Sequence, residues 1–70
     1  MKIKLSIHAR KRLIEREINM RNVIETIEFP DYTVRCGAER EAYKKIGAKT
    51  VKVVYVEEVN FIKVITVYWI

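Results

Sequence analysis

The 70-residue chain has no glutamine, one cysteine, one proline, two glycines, one histidine and one tryptophan. Each scarcity excludes something. A lone Cys36 forms no internal disulfide and lacks the paired thiolates of a structural zinc site, so a reducing, cytoplasmic setting and no metal or other cofactor are expected. With one Pro and two Gly there is no flexible linker and no low-complexity tract. Apolar strings are broken by Lys52, Glu57, Glu58 and Lys63, far short of the ~20 residues that span a bilayer, and no leader-like start is seen. Neither membrane insertion nor export is expected. What remains is half apolar and a third charged, the composition of one small globular domain over residues 1–70. Many Lys, Glu, Ile and Val beside few amides is also a bias of proteins working at high temperature.

Charge is unevenly spread. Residues 1–22 carry seven cations (Lys2, Lys4, Arg10, Lys11, Arg12, Arg16, Arg21) against Glu15 and Glu17, a local net of +5 that equals the net charge of the whole chain. Residues 23–70 therefore cancel. A concentrated basic segment draws polyanions, nucleic acid first, by neutralising phosphates and releasing counterions. A solvated helix face rich in Lys and Arg would show the same arithmetic.

Ser6 is a helix-capping residue, and no Gly or Pro interrupts Ile7 to about Glu17, which predicts a first helix. Asn19 predicts the cap of a second, from Met20 to about Phe29 and stopped by Pro30, with Met20, Val23, Ile24 and Ile27 on one face. Beyond Pro30 the pattern turns to strands: Tyr32–Cys36, Glu41–Ile46, Val51–Val56 and Phe61–Trp69, separated at Gly37, Gly47 and Glu57–Asn60. The expected fold is α+β, in the order ααββββ, with two helices packed on one face of a four-stranded, mainly antiparallel meander. Strict alternation sets Phe61, Lys63, Ile65, Val67 and Trp69 on one side of the last strand and Ile62, Val64, Thr66, Tyr68 and Ile70 on the other. The last two strands are apolar on both sides and belong in the sheet interior. Two helices cover one face, so the other is left for a ligand, a partner or a second copy. Cys36 reads as a small buried residue at a strand end.

Spaced i, i+4 and i+8, His8, Arg12 and Arg16 form one column along the first helix, with Leu13 beside it and Arg10 on the opposite side among Ile7 and Ile14. Guanidinium forks hold phosphate oxygens, and an imidazole moves protons near neutral pH. Together these are the groups that phosphodiester chemistry uses. An arginine tied to Glu15 on a solvent face and a packing histidine would have the same spacing.

The string Ser6, His8, Ala9, Arg12, Arg16 and Ile18, then Val23, Ile27 and Pro30, resembles the small prokaryotic proteins catalogued as domain of unknown function 4258. The closing Val64–Tyr68 also resembles that family's last strand. The resemblance implies a RelE-like or barnase-like α+β domain, a group that includes toxin ribonucleases. It assigns His8, Arg12 and Arg16 to an active site, and Tyr68 with Thr66 to a polar pair on the sheet. Lys4 and Lys11, in the basic segment, are the expected further RNA contacts. The implied reaction is metal-independent cleavage of single-stranded RNA, with His8 as base toward a ribose 2′-hydroxyl and both arginines on the phosphate. An acidic antitoxin is the implied protein partner. The middle strands depart from a dense basic cluster, since Arg35, Arg40, Lys44 and Lys45 are mixed with Glu39 and Glu41, which speaks against dependence on the ribosome. Two alternatives stand beside this one: an RNA-binding or protein-interaction module without turnover, and a domain that dimerises through the second sheet face.

Overall fold

The computed structural model describes residues 2–70. The chain runs β1 (Ile3–Leu5), α1 (Ile7–Glu15), α2 (Met20–Glu28), β2 (Tyr32–Cys36), β3 (Glu39–Ile46), β4 (Lys49–Glu57) and β5 (Ile62–Trp69). Its α+β class and two helices are as expected, but the sheet has five strands, in the order β1-β5-β4-β3-β2. The added strand is β1, which pairs in parallel with β5, Ile3 to Ile62 through Leu5 to Val64. The other pairings are antiparallel.

Local chemistry accounts for the joints. Gly37 and Gly47 have φ of 61° and 65°, and each opens a two-residue Gly-Ala hairpin turn that needs a positive φ at its first position. Ser6 caps α1, its Oγ accepting from the Ala9 amide at 2.9 Å. At the other end of α1, Ile18 N–H donates to the Leu13 carbonyl at 3.0 Å and Glu17 N–H to that of Ile14 at 3.4 Å. This is a Schellman closure, and Glu17 occupies its left-handed position with φ 52°. Asn19 caps α2 through the Asn22 amide at 2.8 Å.

Both helices pack on one sheet face. The core comprises Ala9, Ile18, Val23 and Ile27 from the helical half and Ala42, Val51, Val53, Tyr55, Ile62, Val64 and Val67 from the sheet. Thr26, fully buried among them, donates to the Asn22 carbonyl at 2.6 Å, which removes the cost of a buried hydroxyl. Only Ala9 of α1 is buried, and Ile7 and Ile14 share the solvent side with Arg10.

Two expectations are corrected here. Strict alternation along β5 fails because Val54 pairs with Thr66 and Tyr55 with Val64, so Ile65 is an extra residue in a bulge. The bulge turns Val64 and Val67, three apart, onto the same core face. Cys36 is exposed, not buried, because β2 is an edge strand that no helix covers, and all five of its residues are accessible.

Candidate functional site

Where β1 stops pairing, at Leu5 opposite Val64, the remaining edge of β5 has no strand beside it. The Ile70 amide bonds to Thr50, and in an antiparallel ladder every second pair does so, which leaves the Ile65 and Val67 carbonyls facing that edge. Residues from the α1 region satisfy both. Ser6 Oγ donates to the Ile65 carbonyl at 3.0 Å, and an Arg16 guanidinium N–H donates to that of Val67 at 3.0 Å. The Trp69 indole in turn donates to the Arg16 carbonyl at 2.8 Å. Two members of the sequence motif thus complete the sheet edge.

The three-residue column therefore divides. His8 is exposed in the first turn, and its Nε2 accepts from Arg12 Nε at 3.4 Å. Arg12 also bonds Glu15 Oε1 at 2.6 Å, and that hydrogen bond, outweighing desolvation, holds the Glu15 carboxyl below its ordinary range with help from the Arg12, Lys11 and Arg16 charges. Arg16, one turn on, lies over the Tyr68 ring at 5.5 Å. The helix thus presents a His8–Arg12 pair, and Arg16 carries the column across to the sheet.

On the uncovered face, register lines up Tyr32, Tyr43, Lys52 and Tyr68 across β2, β3, β4 and β5. Tyr32 and Tyr43 stack at 4.5 Å with rings 11° apart. Lys52 Nζ sits 5.5 Å from the Tyr43 ring and 5.2 Å from that of Tyr68. Glu41 accepts from the Tyr43 hydroxyl at 3.1 Å and pairs with Lys52 at 3.4 Å. The Tyr68 hydroxyl, above all, holds the Lys52 ammonium above the ordinary lysine range; partial burial opposes it, and Tyr43 and Glu41 add to it. Burial pushes the Tyr43 phenol up, with Lys52 and Glu41 acting in opposite senses. The result is a fixed cation between two phenols, with Arg16 as a second cation on Tyr68.

Of the other expected contacts, Thr66 lies on this open face opposite Val54. Lys11 is exposed on α1. Lys4, on β1, lies over Phe61 at 4.6 Å. Lys52, Tyr43, Tyr32 and Glu41 were missed by spacing arguments, because only cross-strand register joins them. The available signal was a lysine inside the valine run of β4. A surface hollow of about 570 Å³ between α2 and the sheet, lined by residues including Arg40, Tyr55 and Glu57, contains none of the residues of either group. The candidate site is an open surface. Among the described residues no group of three or more His, Cys, Asp or Glu could hold a metal ion, and no helix is long and apolar enough to cross a membrane.

Comparison with curated proteins and with solved structures returned no match. The model of one family, described as Domain of unknown function (DUF4258), matches residues 5–69. That span runs from the Ser6 cap to the Trp69 anchor and takes in both halves of the candidate site, and on it the chain belongs to the DUF4258 family.

Proposed function

We propose that this protein is a metal-independent endoribonuclease of toxin type, acting in the cytoplasm on single-stranded RNA and related in fold to the RelE-like and barnase-like ribonucleases. The observation that carries the reading is Arg16 lying over Tyr68, which joins the His8–Arg12 pair on the helix to the Lys52–Tyr68 pair on the sheet. In this scheme His8 takes the proton of a ribose 2′-hydroxyl, and the freed oxygen attacks the adjacent phosphorus. Arg12 and Arg16 stabilise the charge gathering on the nonbridging oxygens. The P–O5′ bond breaks and Tyr68 gives its proton to the departing oxygen, the resulting phenolate being held by the Lys52 ammonium. The products are a 2′,3′-cyclic phosphate and a 5′-hydroxyl. Lys4, Lys11 and Thr66 contact the flanking strand, and an acidic antitoxin masks the basic surface.

A second reading, RNA binding without turnover, is favoured by one specific feature. Arg12 is already engaged by Glu15 and Arg16 by a backbone carbonyl, so a phosphate must compete for both. End-labelled single-stranded RNA incubated with the protein in EDTA separates the two. Cleavage that falls by about 10²–10⁴-fold in His8→Ala, the usual share of a positioned base, with a matching loss in Arg12→Ala, supports the enzyme. Cleavage surviving both substitutions rejects the site, and salt-sensitive binding with intact RNA selects the second reading.

A further inference from the structure

Cross-strand register builds a row of rings and cations on the uncovered face, and every member but the last is occupied on both sides. Tyr43 has Tyr32 beside it from β2 and Lys52 beside it from β4. Lys52 also lies over Tyr68, and so does Arg16. Tyr32 ends the row. It is 57% exposed, its ring is only 11° from parallel to that of Tyr43, and the ring face turned away from Tyr43 meets no further strand. A ring backed on one side and bare on the other has the form of a stacking platform.

The charge beside it has the sign that a phosphate needs. β3 pairs without a bulge, so Lys45 follows Tyr43 on the same face, where it is exposed and makes no ion pair among the described residues. The neighbouring carboxylates are engaged, Glu41 by Tyr43 and Lys52, and Asp31 by the Lys45 amide. An apolar protein surface laid here would strip water from the Lys45 ammonium and return nothing for it. A single strand returns a partner to each group: a base to the ring and a phosphate to the cation.

We propose that Tyr32, backed by Tyr43, is a base-stacking subsite for the part of a single-stranded RNA that lies 3′ of the broken bond, with Lys45 on one of its phosphates. The polarity rests on the nuclease reading given above. There His8, on α1, meets the ribose 2′-hydroxyl and Tyr68, on β5, meets the departing 5′-oxygen, so the 5′ portion lies toward the helix and the 3′ portion over the sheet. From β5 to β2 is three strand spacings, about 14 Å, which carries the RNA a few nucleotides past the break. Every base has a π-face, so the subsite takes any sequence and requires only that the base be unpaired.

Binding tests the platform without any turnover. Fluorescence anisotropy is read on the full chain with a labelled single-stranded 2′-O-methyl RNA, which has no free 2′-hydroxyl to attack, and with the same backbone lacking bases. Tyr32→Ala weakens binding of the RNA by roughly 5- to 100-fold, the share of one stacked base. Tyr32→Phe retains it, and all three proteins bind the abasic backbone alike, whereas Lys45→Ala weakens both ligands. Equal affinity of wild type and Tyr32→Ala for the RNA, or an equal loss on the abasic backbone, overturns the platform. A protein that binds no RNA and sediments as a dimer, which Tyr32→Ala dissociates, gives the ring to a second copy instead.

Cleavage tests the polarity. In an RNA that the wild type cuts, removing single bases 3′ of the break lowers kcat/KM in the wild type and not in Tyr32→Ala, while loss of a 5′ base acts on both alike. Sensitivity confined to the 5′ side overturns the assignment. RNA that is bound through Tyr32 but never cut removes the nuclease reading, and the 3′ assignment with it, and the platform stands.

Discussion

Glu17 holds a conformation that L-residues with a side chain avoid. Its φ of 52° places Cβ near the following carbonyl, at a cost of roughly 1–2 kcal/mol that glycine does not incur. Nothing in the described structure repays it, since Glu17 is exposed and makes no ion pair among the described residues. Glu17→Gly should therefore stabilise the fold by about 1 kcal/mol after the entropy of a more flexible unfolded chain is subtracted. In a domain of this size that corresponds to a rise of roughly 4–8 °C in Tm. A calorimetric scan showing a fall would mean that the Glu17 side chain contributes an interaction outweighing its backbone strain. Lys52 leads to a pH prediction. Its folded-state pKa is raised, so the folded chain holds that proton more tightly, and its contribution is complete below the unfolded lysine value of about 10.4 and lost as pH rises through the folded value. Tyr43, also raised, acts in the same alkaline window. Urea midpoints measured from pH 8 to 11 should fall above about pH 10 in the wild type and fall less in Lys52→Met. Equal slopes in both proteins would remove Lys52 from the account.

Among the elements, β5 shows most clearly what local pattern misses. Its bulge at Ile65 is held by Ser6, whose hydroxyl both caps α1 and bonds the Ile65 carbonyl. Ser6→Ala loses both at once. The expected destabilisation is about 1–2 kcal/mol, a helix cap together with a carbonyl left without its partner, seen as a lower urea midpoint with an unchanged slope. An unchanged midpoint would show that water replaces the serine at no cost. The same residue explains why the faces of β5 were not legible in advance. Alternation is a local rule, whereas the bulge depends on a side chain 59 positions away. Likewise β1, three residues interrupted by Lys4, has no signal of its own and exists because β5 offers a parallel partner. By contrast α2 was legible, since Asn19, the Val23–Ile27 stripe and Pro30 each act within a few residues. The site follows the same division. His8 and Arg12 meet as their i, i+4 spacing requires, but the destination of Arg16 depends on an edge carbonyl of β5, and the Lys52–Tyr68 pair on register across two strands.

At the scale of the molecule, the basic N-terminal segment becomes a place. Both β1 and α1 lie beside β5, where Lys4 reaches over Phe61 and Arg16 over Tyr68, and Lys11 and Arg12 add their charge on α1. A single strand lying along that side would exchange condensed counterions for these cations, and its affinity would fall with salt at a logarithmic slope of about −0.7 per phosphate neutralised. Lys11 is exposed and makes no ion pair among the described residues, so Lys11→Ala should shallow the slope by about 0.7 without changing stability. In the proposed scheme His8 meets the 2′-hydroxyl and not a phosphate, so His8→Ala should leave the slope unaltered even if turnover disappears. Fluorescence anisotropy of a labelled single-stranded RNA across a range of salt concentrations reads both slopes. If Lys11→Ala and His8→Ala shift the slope equally, or if binding is insensitive to salt, the helix is not the surface that meets the phosphates. The charge of residues 1–22 would then serve only to keep α1 solvated, as a Lys- and Arg-rich face does in proteins that bind no polyanion.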